Sequence, residues 1–443
     1  VTDIELSTLG SPNHPVQIVA PNEPDGSSAL SDEAPNDSVE AIPDGGYGWT
    51  IVGSCFVLSF WINGFTTSWG ILQTAIVKSP ELRADLRAIT FVGSLCMACT
   101  VAFGLASVRI MRSLGIWVTG LIAITLFGLG LVVTSFTLEH LAGLFCVAGV
   151  LVGSGMSILF TATNSLPVQW FSGKLGLANG IVKAGGGLGA TVLPLAAQAL
   201  IDRTGLQWTF RIFGFLVLAT GIPSVLLLKE RGSAAAASRF DWSLLKNIPF
   251  LAVTMAGAAT VFALMVPPFF LPLFASSIGL STSIAAGLVA GFGGSTTVGR
   301  LLGGWLADRI GAFNALAISE FIYSLTMFAI WPVSSSIVPL FIFAILNGCA
   351  NGGAFVGLPT AVAALAPGSA AASISLMTFF WTPGYLLGTP LAGILIEATG
   401  ADEAASIGPY RAAIFYGAGV GGLAFLLALV SRMNLSSKIW KKL

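Results

Sequence analysis

Apolar stretches of about twenty to thirty residues, parted by short polar joints, run through this sequence from residue 50 to residue 431. They cover 50–77, 89–108, 115–136, 140–166, 175–201, 208–228, 248–277, 283–306, 313–332, 337–364, 372–396 and 411–431. Inside a hydrocarbon layer ~30 Å thick, every backbone N–H and C=O must find its partner within the segment or a closed barrel. Runs of this length therefore read as helices, and the chain as an all-α integral membrane protein with twelve spans. Only 9% of the residues are charged, against about 25% in soluble domains. The 20 basic and 20 acidic residues form no clustered basic surface of the kind nucleic acid requires.

Other chemistries lack their residues. Cys96 and Cys99 form a CxxC within an apolar run with no histidine nearby, so all five cysteines read as small buried hydrophobes rather than metal ligands or a disulfide framework. No phosphate-binding loop is present to power a pump. The spans hold no convergent His/Asp/Glu set for an intramembrane enzyme. No metal or cofactor is expected.

The organisation is symmetrical. Residues 1–43 are acidic, proline-rich and aperiodic, the pattern of a disordered tail. Lys and Arg number twelve on one set of loops with the C-terminal tail and six on the other, which places both termini in the cytosol. The loop 229–247 divides the chain into six-helix bundles at 44–228 and 248–432, leaving a short basic tail at 433–443. PLAAQALIDRTG (Pro194 to Gly205) is echoed by PLAGILIEATG (Pro390 to Gly400), and GLASVRIMRSLG (Gly104 to Gly115) by GWLADRIG (Gly304 to Gly311). Parallel six-helix repeats are a transporter architecture, with the substrate near the midplane between the halves.

Arg300 stands out within its apolar run. At 1.5 Å per residue it lies roughly 12 Å inside the polar turn at Asp308-Arg309, near the middle of the bilayer. A guanidinium at that depth needs a partner or a water-filled cavity, and it suits a carboxylate bidentately. Lys183 lies nine residues beyond Lys174, at roughly 13 Å by the same measure. Glu320 lies nine residues past Gly311 on the following, antiparallel span, at a depth comparable to that of Arg300.

Gly304, Asp308, Arg309 and Gly311 resemble the loop motif of the major facilitator superfamily. DGGYGW (Asp44, Gly45, Gly46, Tyr47, Gly48, Trp49) resembles the signature of its monocarboxylate porter family, and WFSGKLGLANGIVKAG from Trp170 partly matches that family's second signature. The pattern is most similar to fungal members. The resemblance implies the major facilitator fold, two six-helix bundles related by a pseudo-two-fold axis, with spans five and eight adjacent across the interface. Lys183 and Arg300 would then face one cavity from opposite halves. It also implies cavity walls from Asn63, Trp69 and Gln73 in span one and from Asn347, Asn351 and Phe355 in span ten; interhelical amide bonding is the alternative role for the asparagines. The sequence departs from the family at Thr296, where an acidic residue stands one turn before the arginine in mammalian members. Thr67-Ser68-Trp69-Gly70 replaces their lysine-bearing stretch. Glu320 is the candidate substitute for the missing acid, as counter-ion of Arg300 or as a protonatable group. Asp44 reads as the N-cap of the first span and Trp49 as an interfacial anchor.

The leading expectation is a secondary active transporter, most simply in the plasma membrane, with a vacuolar or other organelle membrane as the alternative. It would move a small organic anion such as a monocarboxylate, with or without a proton, by alternating access. A carrier of a larger metabolite (a vitamin such as riboflavin, or an exported secondary product) and a non-transporting nutrient receptor are the alternatives. The partners expected are the anion, the proton and the lipid bilayer; an accessory subunit is left open by these residues.

Overall fold

A computed structural model describes residues 44–78, 86–231, 242–399 and 408–436. The expected acidic tail, residues 232–241 of the central loop and residues 437–443 of the basic tail lie outside the described residues. All regular structure among the described residues is helical. The spans are α1 (Gly48–Lys78), α2 (Leu86–Ala102, resuming through 104–114), α3 (116–134), α4 (Leu141–Trp170), α5 (Leu175–Thr204) and α6 (Leu206–Leu226) in the first half. The second half holds α7 (Ile248–Leu264 with Val266–Ser277), α8 (Thr282–Ile310), α9 (Ala312–Ala329), α10 (Ile337–Leu365), α11 (Ala370–Phe379 with Thr382–Ala398) and α12 (Gly408–Leu435). By length and composition 10 of these are long and apolar enough to cross a membrane. The two that fall short are α2, whose apolar part is only Phe91–Ala102, and α8, which is diluted by Gly, Ser and Thr around Arg300.

Local chemistry sets the joints. The second span runs beyond its expected end at 108 as far as Gly115, which has φ +76°, and the turn between α8 and α9 is made by Gly311 at φ +95°. These glycines occupy matching places in the two sequence repeats, and positive φ costs them nothing. α7 breaks at Met265, before Pro267-Pro268, and α11 breaks at Phe380-Trp381, before Pro383; each proline lacks the N–H its helix needs. α4 opens with a π turn at Phe145–Leu151. Cys55, Cys96 and Cys99 are buried, whereas Cys146 faces outward.

The segment before α1 corrects one expectation. Asp44 does not cap its own helix. Its carboxylate accepts from the backbone N–H groups of Ser172 (2.7 Å), Gly173 (3.1 Å) and Lys174 (3.3 Å), on the joint between α4 and α5. Asp44 at φ +50° and Gly46 at φ +60° bend the chain to reach it, and aspartate is among the residues that tolerate this left-handed region. Tyr47 then packs on Trp170 with ring centroids 5.7 Å apart and Trp49 on Phe171 at 4.8 Å. The Tyr47 hydroxyl donates to Leu227 O at 2.9 Å. A Cβ on Gly48 would lie 2.9 Å from the Phe171 ring, so glycine is what allows the two segments to meet. The two sequence signatures are thus the two sides of one contact.

Desolvation of Asp44 works to raise its carboxyl pKa, but the three N–H donors and the charge of Lys174 outweigh it and hold the group below the usual aspartate value. A depressed carboxyl contributes stability above its unfolded value of about 3.9, and that contribution fades as pH falls through the folded value. Asp44→Ala is therefore expected to lower the thermal midpoint in detergent at neutral pH, with the gap from wild type closing on acidification below about pH 4. A gap independent of pH would show that the carboxylate is not what holds the segment.

Candidate functional site

α5 and α8, one from each half, run antiparallel with almost no side chain between them at one end. Cβ atoms on Gly176 and Gly304 would overlap the opposing backbone, and one on Gly180 would lie 2.8 Å from Arg300 O. At that end Asp308 reaches the start of α5 and accepts from the N–H groups of Gly176 at 2.7 Å and Leu177 at 2.8 Å. These are the second and third N–H groups of the helix, which an N-cap side chain ordinarily satisfies. The N-cap residue here is Lys174, whose side chain has no acceptor. The cap is instead supplied from the other half of the molecule, where its charge also complements the helix dipole. Asn179 adds a bond to Thr360 Oγ1 of α10 at 3.1 Å, and a Cβ on Gly104 would lie 3.7 Å from Ser375 and Thr378 of α11. The Asp308 end is closed. Arg309 lies over the Trp305 ring at 5.0 Å, and Gly304 and Gly311 serve as contact and turn.

Further along the same contact the structure brings together Arg300, Lys183 and Phe355. Arg300 Nη1 donates to the backbone O of Lys183 at 2.6 Å, crossing from one half to the other. Lys183 Nζ donates to Asn164 Oδ1 of α4 at 2.8 Å. Phe355 of α10 lies against both cations, 5.2 Å from Arg300 Cζ and 5.6 Å from Lys183 Nζ, and Phe160 of α4 lies 4.9 Å from Nζ. Cation–π contact of this kind is worth on the order of 1–2 kcal/mol when desolvated. Exposure is 6% for Arg300 and 2% for Lys183. Among the described residues no carboxylate pairs with either, and Arg300 Nε, also buried, has no hydrogen-bond partner.

Asn63 belongs to this group. A Cβ on Gly186 would lie 2.5 Å from Asn63 Nδ2 and 2.8 Å from Arg300 Nη1, so the glycine keeps open the space both polar groups border. Two residues not expected from the sequence complete the wall. Trp381, fully buried with an unpartnered Nε1, packs on Phe355 at 5.7 Å, and Tyr385, one turn on, lies near Arg300. Their signal was an aromatic pair at i, i+4 bracketing Pro383.

Of the remaining expected wall residues, Trp69, Asn347 and Asn351 are bonded elsewhere. Trp69 is buried between α1 and α2, with Nε1 donating to Ile89 O at 3.2 Å and its ring filling the space at Gly93; Gln73 is half-buried on α1. Asn347 is fully buried and donates to Tyr323 O and Thr326 Oγ1 of α9, at 3.2 and 2.8 Å. Asn351 donates to Leu264 O of α7 at 3.3 Å. Both asparagines make interhelical bonds within the second half. Glu320 is not the counter-ion of Arg300: its Oε1 lies 2.6 Å from Thr260 Oγ1 of α7, and its buried Oε2 has no hydrogen-bond partner. The equal depth expected from their spacing on antiparallel helices did not put the two on facing sides.

Membrane-length helices in two halves, closed at one end over a polar site between them, define a carrier. Residues 49–339 match the family model described as Major Facilitator Superfamily, and the chain belongs to that superfamily. It is 30% identical over 327 residues to "MFS-type transporter 1" of Ophiocordyceps sp., covering 72% of each chain. It is 27% identical over 399 residues to the "Aspyridones efflux protein apdF" of Emericella nidulans, covering 88% of this chain and 80% of that one. The crystal structure of the Escherichia coli fucose:proton symporter FucP superposes with a TM-score of 0.65 at 17% identity, covering 86% of this chain and 99% of that one.

Asp308→Ala removes two charge-assisted bonds and is expected to weaken the closed end by about 1–3 kcal/mol. Spin labels across that end would then report an open population raised on the order of tenfold or more; an unchanged distance distribution would contradict the capping role. Gly186→Ala is expected to abolish ligand binding while the protein still elutes as a folded monodisperse species. Adding Asn63→Ala should recover part of the binding, because it relieves the closer of the two clashes and leaves the one with Arg300.

Proposed function

We propose that this chain is a secondary active transporter of an organic anion whose charged group is held between Lys183 and Arg300. The observation that supports this is two buried cations, one from each half, sharing the Phe355 ring without a carboxylate paired to either among the described residues. Taking one unpaired ion out of water costs several kcal/mol even after relaxation, and two like charges side by side add their repulsion. An anion at this point offsets both. Because α5 and α8 belong to different halves, an anion bridging them binds more tightly when the halves meet there. That difference in affinity is what lets a ligand bias alternation between states.

The end closed by Asp308 is the cytosolic one in this reading, following the excess of Lys and Arg on its loops. The docking of residues 44–49 on residues 170–173 supports placement in the monocarboxylate porter branch, since both matched signatures take part in it. A second reading, export of a larger acidic metabolite, is favoured by the relative named as an aspyridones efflux protein. Phe160, Phe355, Trp381 and Tyr385 provide an aromatic face for the apolar body such a molecule would carry.

The test is uptake of a panel of labelled small carboxylates, larger acidic aromatics and neutral analogues into proteoliposomes, with and without a pH gradient. Anions should accumulate and neutral analogues should not. Arg300→Ala and Lys183→Met should each reduce kcat/KM for the anion by on the order of 100-fold or more, as expected for a lost desolvated charge pair. Arg300→Lys should recover little, since the ammonium lacks the bidentate fork. Accumulation of a neutral compound, indifferent to both substitutions, would overturn the proposal.

A further inference from the structure

α7 is broken where two prolines follow each other, and the carbonyls this exposes are both taken up. Pro267 and Pro268 have no N–H, so Ala263 O and Leu264 O lose their helical donors. The Tyr323 hydroxyl of α9 donates to Ala263 O at 2.7 Å, and Asn351 Nδ2 of α10 donates to Leu264 O at 3.3 Å. One turn before the break, on the same helix, Thr260 faces Glu320, one turn from Tyr323 on α9. The break in α7 is thus held by a polar cluster that includes a carboxyl group with 0% exposure.

Thr260 Oγ1 lies 2.8 Å from Ala256 O and 2.6 Å from Glu320 Oε1. A hydroxyl carries one hydrogen, and a backbone carbonyl only accepts. If Thr260 gives its hydrogen to Ala256, the shorter contact needs a hydrogen from the carboxyl. If it gives it to Glu320, two lone-pair-bearing oxygens face each other at 2.8 Å with nothing between them. Both contacts are satisfied together only when Glu320 is a neutral acid donating to Thr260. The second carboxyl oxygen agrees: Oε2 is buried without a hydrogen-bond partner, a modest cost for a neutral carbonyl and a large one for a carboxylate.

Among the described residues, no charged side chain is bonded to Glu320. Its own helix presents Tyr323, beside which α12 places Tyr416, whose buried hydroxyl also lacks a partner. α7 presents Thr260, and α10 presents only the neutral Asn347 and Asn351. The nearest candidate cation on α8, Arg300, is turned toward α5.

We propose that Glu320 is a proton-binding site of the carrier, separate from the Lys183–Arg300 pocket, and that its proton fastens the arm Ile248–Leu264 of the broken α7 to α9. Release breaks the carboxyl O–H bond, passes the proton to water and leaves the electron pair on the carboxylate. Thr260 then has one hydrogen for two acceptors, and the new charge must be hydrated. The arm has to part from α9 to admit that water, which ties proton release to movement of a span at its proline break. The inference is independent of the anion reading, because it rests on hydrogen count within the second half alone.

The test uses the full chain reconstituted in lipid. Infrared difference spectra at about pH 7, where an ordinary glutamate is almost wholly ionised, should show a protonated-carboxyl C=O band. The band should be absent in Glu320→Gln and shifted in frequency in Thr260→Val, which keeps the acid and removes its partner. Spin labels on α7 and α9 should report a distance that increases at alkaline pH in wild type and is constant in Glu320→Gln. No band in wild type at neutral pH, or a band that survives Glu320→Gln, would overturn the site. An alkaline response equal in wild type and Glu320→Gln would overturn its link to α7.

Discussion

The architecture depends on one backbone-to-backbone contact, that of α5 with α8. Without side chains at Gly176, Gly180 and Gly304 the two helices approach until the Asp308 carboxylate can cap α5 and the Arg300 guanidinium can reach Lys183 O. Small residues of this kind are how helices associate in lipid, where burial of apolar surface gives little drive. The contact therefore does two jobs with one geometry. It closes one end of the carrier, and it brings a buried cation from each half together about two turns further along.

Both jobs rest on contacts that are electrostatic and local, as the proposed alternation requires. A trans-supplied helix cap is worth a few kcal/mol at most, which is enough to populate a closed state and small enough for a bound ligand to offset. In the proposed reading the two cations oppose the cap: their mutual repulsion disfavours the closed contact until an anion enters. The broken α7, tied to α9 through Thr260–Glu320 and Tyr323–Ala263 O, is the second joint we propose to be adjustable, within the second half. Its linkage is a hydrogen bond rather than a charge pair.

The spans were legible because hydrocarbon leaves so few options: apolar length and the Lys/Arg bias already imply twelve helices and a fold. Arg300 and Lys183 were legible for the same reason, since a charge in an apolar run demands an explanation. What the sequence hid was azimuth. Asn347 and Asn351 sit at i, i+4 and share a face, but that spacing does not say whether the face meets a cavity or α9 and α7; they meet the latter. Glu320 was on the wrong side for the same reason. Asp44 was hidden differently, the N–H donors to its carboxylate lying 128 residues and more away, beyond any local capping rule. Trp381 and Tyr385 escaped notice because aromatic residues in spans are common and only their place beside Phe355 and Arg300 sets them apart.

The central claim is that Lys183 and Arg300 together hold an anion. The most direct measurement is a structure of the protein with a brominated carboxylate, its position fixed by anomalous scattering from bromine. The account predicts one carboxylate within hydrogen-bond reach of both Lys183 Nζ and the Arg300 guanidinium, with the brominated body against Phe355. A carboxylate bound elsewhere, with Lys183 still on Asn164 and Arg300 still on Lys183 O, would contradict it.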